Sequence, residues 1–61
     1  MNLVEVYVTK IYSEKIHQKN MNTVFELVVN TDCYGQKENR KTIWVSVSDY
    51  NMIRERGYYL A

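Results

Sequence analysis

Lys41–Leu60, KTIWVSVSDYNMIRERGYYL, is the stretch whose reading decides the fold. From Thr42 to Val47 both composition and alternation give a strand. Successive side chains of a strand point to opposite faces, so Ile43, Val45 and Val47 take one face and Thr42, Trp44 and Ser46 the other. Each of the six is β-branched, aromatic or serine. The first face is core; the second is polar except for Trp44. At Ser48 the pattern changes. A serine hydroxyl accepts from the free N–H groups of a first helical turn, and Asp49 sits where the helix dipole is positive. The spacing therefore predicts a helix over about Asp49–Arg56, capped by Ser48. Arg54 and Arg56 fall in its last turn, where cations are favoured, and Gly57 supplies the left-handed residue that ends it. Tyr50 and Ile53 share one side. A helix of about two turns does not hold alone in water, so it must lie on a sheet. Tyr58-Tyr59-Leu60 then reads as a short return strand on a sheet edge.

Upstream, Asn2–Ile16 is strand-like, with Val4, Val6 and Val8 on one face and Leu3, Glu5, Tyr7, Thr9 and Ile11 on the other. The alternation fails after Thr9, because Lys10 would fall on the valine face. Either a bulge near Thr9–Lys10 shifts the phase by one residue, or the strand runs out beyond the sheet as an arm. His17–Asn22, HQKNMN, reads as a loop. Thr23–Thr31 is a second strand, with Phe25, Leu27 and Val29 inward. Asp32–Arg40, DCYGQKENR, is a polar hairpin loop turning at Gly35. The expected order is β-β-β-α-β, an antiparallel α+β domain that is mainly β and curled toward a small barrel. Its core is the layer Val4, Val6, Val8, Phe25, Leu27, Val29, Ile43, Val45 and Val47 under the helix. The opposite face should be solvated, yet it carries Tyr7, Val28 and Trp44.

At 61 residues this is one domain, 1–61. A chain of this length buries about 60% of its unfolded surface, and small domains are commonly reinforced by disulfides, a metal or association. One cysteine excludes an internal disulfide, and one histidine distant from it excludes the ordinary zinc sets. No metal and no cofactor are expected. Association remains, which predicts a homo-oligomer, most simply a dimer. A net charge of +1, from 8 basic and 7 acidic residues, lacks the excess of a dedicated duplex-DNA binder. No apolar run is long enough to span a bilayer, and the N-terminus lacks the basic-then-apolar order of a signal peptide. The expected location is the cytoplasm, and no membrane partner is expected.

Each candidate for chemistry has a plainer reading beside it. His17 lies among Lys15 and Lys19 with no local partner to orient it as a base; a solvated imidazole is the plainer reading. Cys33 has no adjacent cation to lower its pKa, so it reads as a bystander thiol. Glu5 and Glu26 could face each other as an acid–base pair, or be surface carboxylates. Tyr58 and Tyr59 with Arg54 and Arg56 could form a stacking platform for single strands, or simply an edge strand and a capped helix end. Tyr7, Val28 and Trp44 read as an interface patch, or as residues closed over by a barrel. No set supports catalysis, so enzyme activity is not expected.

The strand–helix–strand ending Trp44–Tyr59, WVSVSDYNMIRERGYY, in a short, proline-free chain rich in Asn, Lys, Tyr and Ile, resembles small phage- or prophage-encoded β-rich accessory proteins. What the resemblance implies is a protein that acts by binding, often by blocking a host factor, with host defence systems among the targets. The expected function is thus a non-catalytic protein that binds and occludes a protein partner. The candidate interface is Tyr7, Val28, Trp44, Tyr58, Tyr59, Arg54 and Arg56, in the host cytoplasm if phage-encoded. The alternatives are an OB-like or SH3-like module for single-stranded nucleic acid, and a small-molecule-binding oligomer.

Overall fold

Two tight turns set the sheet. Asn20-Met21 and Tyr34-Gly35 have positive φ at both residues, 51° and 66° in the first and 51° and 86° in the second. Such pairs are two-residue type I′ hairpin loops, whose twist matches that of the strands they join. Asp32 holds the second turn by accepting at Oδ1 from the Gly35 N–H, at 3.1 Å. The computed structural model describes residues 3–61; Met1 and Asn2, the latter the expected first residue of the opening strand, lie outside the described residues. The elements are β1 (Glu5–Lys19), β2 (Asn22–Cys33), β3 (Gln36–Ser46), α1 (Val47–Arg56) and β4 (Tyr58–Leu60).

The expected order and class hold: among the described residues there are four antiparallel strands and one short helix, with a sheet order of β3-β2-β1-β4. The sheet curls into a half-barrel. The loops expected at His17–Asn22 and Asp32–Arg40 shrink to two residues each, Asn20-Met21 and Tyr34-Gly35. His17–Lys19 extend β1, Asn22 opens β2, and Gln36–Arg40 belong to β3. Polar composition suggested longer loops, but a type I′ turn needs only two left-handed residues, and the polar flanks continue as ladder.

β1 bulges twice. Val8 faces Thr31 and Lys10 faces Asn30, leaving Thr9 extra; Ile11 faces Val29 and Ser13 faces Val28, leaving Tyr12 extra. Each bulge shifts the side-chain phase by one residue. The first returns Ile11 to the inner face after Lys10; the second gives the long tail of β1 its own phase. Of the two readings open for this strand, the bulge is the one the register shows. β3 bulges at the same level, where Asn30 stands against Asn39 and Arg40 between the Val29–Lys41 and Thr31–Glu38 rungs. Asn30 serves both sides. Its Oδ1 accepts from the Arg40 N–H at 2.9 Å, and its carbonyl accepts from Thr9 Oγ1 at 3.4 Å. Three irregularities in neighbouring rows bend the sheet around its core.

That core is small. Leu27 and Val29 are fully buried, with Ile43, Val45 and Ile53 around them; Val8, Ile11, Phe25, Tyr50 and Tyr59 pack against them from partly exposed positions. Val6 is buried beside Tyr59 of β4, its partner in the sheet. Val47 is not in this layer. It opens α1 and is 43% exposed. The cap is Ser46, not Ser48: Ser46 is extended at ψ 169° and its Oγ accepts from the Asp49 N–H at 3.2 Å. The helix therefore starts two residues earlier than its spacing suggested. Ser46 pairs with Val24 as the last rung of β3, so the chain leaves the sheet there. Turning at Ser46 sets Ile53 into the core and stacks Tyr50 on Phe25, with ring centroids 4.0 Å apart and planes 7° apart. Gly57, at φ 84°, ends the helix as expected, its N–H donating to the Ile53 carbonyl at 2.9 Å. Its own carbonyl accepts from the Val8 N–H at 2.8 Å and seats β4 against β1.

Candidate functional site

The outer face of the sheet, opposite α1, is read off the ladder. β2 contributes Val24, Glu26, Val28, Asn30 and Asp32; β3 contributes Thr42 and Trp44; β1 contributes Tyr7, Ser13, Lys15 and His17; β4 contributes Tyr58. Tyr7, Val28 and Trp44 do share this face, but not one patch. Val28 sits beside Thr42 and diagonal to Trp44, whereas Tyr7 stands opposite Asp32, with Asn30 between that row and Val28. Two clusters result.

The first is built on Trp44, 58% exposed. Its indole lies 5.0 Å from the His17 imidazole, tilted by 44°. His17 Nε2 lies 2.9 Å from Glu26 Oε1, and Glu26 faces both Lys15 and Trp44 across the ladder. His17 is thus not the solvated loop imidazole that composition suggested. It is a strand residue sandwiched between an indole and a carboxylate, and it limits the indole's freedom from one side. The signal for it was a polar run that continues a strand, visible only once the hairpin turn is known. The second cluster is Tyr7 with Tyr58, ring centroids 5.2 Å apart. The Tyr7 hydroxyl donates to Glu5 Oε1 at 3.4 Å, and the Glu5 charge is the first cause that raises its pKa above the ordinary phenol value.

The tyrosine–arginine platform is dispersed. Tyr58 pairs with Tyr7 on the outer face, while Tyr59 pairs with Val6 on the inner face, where burial raises its pKa. Arg54 reaches Glu14, Nη1 to Oε2 at 3.6 Å, and lies 6.0 Å from the Tyr50 ring. The Tyr50 hydroxyl donates to that same Glu14 carboxylate, which raises the tyrosine's pKa. These contacts tie the helix to the bulged strand β1. Arg56 lies exposed in the last turn of α1. Glu5 and Glu26 are not opposed: Glu5 faces Leu60.

Tyr12, the second bulge residue, was not singled out by its sequence. Lys10 Nζ lies 4.8 Å and the Arg40 guanidinium carbon 5.0 Å from its ring centroid. The three converge because bulges in β1 and β3 bring them to one level. Beside them a hollow of about 210 Å³ is lined by Thr9, Asn30, Thr31, Asp32, Lys37 and Asn39. Among the described residues no group of three His, Cys, Asp or Glu side chains stands ready for a metal ion, and no helix is long and apolar enough to cross a membrane. Comparison with protein-family models, curated proteins and solved structures returns no match.

Proposed function

We propose that this chain is a non-catalytic binding protein that docks on a protein partner through the outer face of its sheet, with Trp44 as the anchor. One observation carries the reading: a tryptophan 58% exposed whose indole packs on His17, itself held by Glu26. Tryptophan is the residue type most enriched among interface hot spots. An anchor restrained before contact gives up less conformational entropy on binding. The face around it sets Val24 and Val28 on either side of Glu26, with Lys15 and Thr42 nearby, so apolar and polar groups alternate around the indole. By the resemblance drawn above, the partner is a host protein and the effect is occlusion, in the cytoplasm. With the partner in hand, Trp44→Ala should weaken binding at least tenfold, about 1.4 kcal/mol. His17→Ala should weaken it by a smaller factor, and Asn51→Ala on the helix side should leave it unchanged. Equal binding of wild type, Trp44→Ala and Tyr7→Ala overturns the reading.

A second reading has its own observation, the Tyr12 ring flanked by Lys10 and Arg40. An exposed ring beside cations is how single-stranded nucleic acid is held without sequence readout. Fluorescence anisotropy on a labelled single-stranded oligonucleotide tests it. Binding should be lost in Tyr12→Ala and Arg40→Ala and should fall steeply from low to physiological salt. No binding at low salt ends this reading and leaves the first intact.

A further inference from the structure

Trp44 packs on the one side chain around it whose type changes charge near neutral pH. Histidine ordinarily gains or loses its proton between about pH 5 and 8, and His17 is the chain's one histidine. On β2, Glu26 Oε1 lies 2.9 Å from its Nε2. An ionised carboxylate only accepts, so the Nε2–H donates to it and Nδ1 is the position left to take a second proton. On β3, the Trp44 indole lies 5.0 Å away, inside the range over which a cation is drawn to an aromatic ring. Val24 faces His17 across the ladder, and Thr42 and Ser46 stand on either side of Trp44; none of them is charged. On β1 itself, Lys15 and Lys19 stand two residues to either side on the same face, and Lys15 also faces Glu26. The His17 and Glu26 side chains are 38% and 30% exposed. They are open enough to exchange a proton with water and covered enough that their charges are not fully screened.

We propose that His17 is a proton-operated clamp on Trp44, so that pH sets how firmly the docking face holds its anchor. The consequence for docking rests on Trp44 being that anchor, as argued above. With the ring neutral, His17 meets Glu26 through an ordinary hydrogen bond and the indole through van der Waals contact. Protonation at Nδ1 turns the first into a charge-assisted bond, roughly twice as strong, and adds a cation–π attraction to the second. Both contacts strengthen together because one ring makes both. Lys15 and Lys19 oppose the new charge, but both are exposed and water screens them, whereas the Glu26 carboxylate is in contact. An indole held in place gives up less freedom on binding. The acid form also sets a third positive charge beside Lys15 and Lys19, which suits a partner surface that is acidic around the Trp44 contact. The acid form is therefore the one that docks more tightly.

The clamp is tested on the protein alone. Trp44 is the chain's one tryptophan, and an imidazolium in contact with an indole quenches its fluorescence more than a neutral imidazole does. Emission should fall in a single proton step as pH drops from about 8 to about 5. His17→Gln should abolish the step, and Glu26→Ala, which unseats the ring, should shrink it. Circular dichroism checks that both variants fold across this range. If either does not, NMR on the wild type decides: the His17 ring protons and the Trp44 indole N–H should shift with one shared midpoint. A flat emission, a step that survives His17→Gln, a full step in Glu26→Ala, or separate midpoints overturns the clamp and leaves the docking reading standing. With the partner in hand, wild type should bind several-fold more tightly at about pH 5.5 than at about pH 8, and His17→Gln equally at both. Wild-type binding indifferent to pH, or a pH dependence that survives His17→Gln, overturns the regulation. Equal binding of Trp44→Ala and wild type, with the fluorescence step intact, overturns the docking reading and the regulation with it, while the clamp stands.

Discussion

Met21 shows how far a single residue can stand from local preference. It occupies the second position of the Asn20-Met21 turn at φ 66° and is fully exposed. A left-handed conformation costs a residue with a Cβ about 1–2 kcal/mol, and glycine escapes that cost. Part of the gain is returned because glycine loses more freedom on folding. With no packing to lose, Met21→Gly should stabilise the fold by about 0.5–1 kcal/mol and raise Tm by about 2–8 °C in a domain this small. A melt in which Tm stays level or falls would show that the turn is not type I′. The mirror case is Gly57→Ala. Gly57 sits at φ 84° with open space where an added methyl group would stand. The penalty is therefore conformational alone, about 1 kcal/mol of lost stability by denaturant titration.

At the scale of the element, two serines compete for one helix start. Ser46 and Ser48 both fit the composition of a cap, and Ser48 has Asp49 directly after it. The structure chooses Ser46. Ser46→Ala should cost about 1 kcal/mol, the usual worth of a cap, while Ser48→Ala should stay within a few tenths of wild type. Equal losses at the two positions would mean that the helix start is shared. The strands carry a parallel lesson. The phase break after Thr9 is readable because a lysine falls on a valine face. The bulge opposite Asn30 in β3 is not, because both faces of Gln36–Arg40 are polar and a shift there moves no apolar residue. Alternation reports register only where one face is greasy.

For the whole molecule the alkaline limb of stability is informative. Tyr59 has its pKa raised by burial, Tyr50 by its hydrogen bond to Glu14, and Tyr7 by the charge of Glu5. A phenol whose pKa is higher folded than unfolded contributes stability that is fully present below the unfolded value of about 10. That stability is lost as pH rises through the folded value. Thermal melts taken from neutral pH upward should hold level and then fall above about pH 10. Tyr59→Phe should flatten that fall, and an unchanged alkaline slope in this variant would remove Tyr59 as a cause. The core explains why such modest terms matter. With Leu27 and Val29 the only fully buried hydrophobic side chains among the described residues, Leu27→Ala should cost about 2–5 kcal/mol, a large share of the stability of any small domain.

Class, element order and helix end were legible because each rests on a local rule: alternation in Val24–Val29 and Ile43–Val45, cations then glycine at Arg54–Gly57. The inward choice of Phe25, Leu27, Val29, Ile43 and Val45 followed from the same rule and holds. For the candidate site, sequence placed Trp44 and Val28 together on the outer face and Tyr7 on that face too. It did not show that Asn30 and Asp32 divide Tyr7 from them. Nor did it find His17 beside Trp44, or Lys10 and Arg40 beside Tyr12. Those groupings depend on which rungs align across three strands, and the rungs are set by two turns and three bulges whose effects are not local. Alternation along a strand assigns a residue to a face; only pairing between strands assigns it a neighbour.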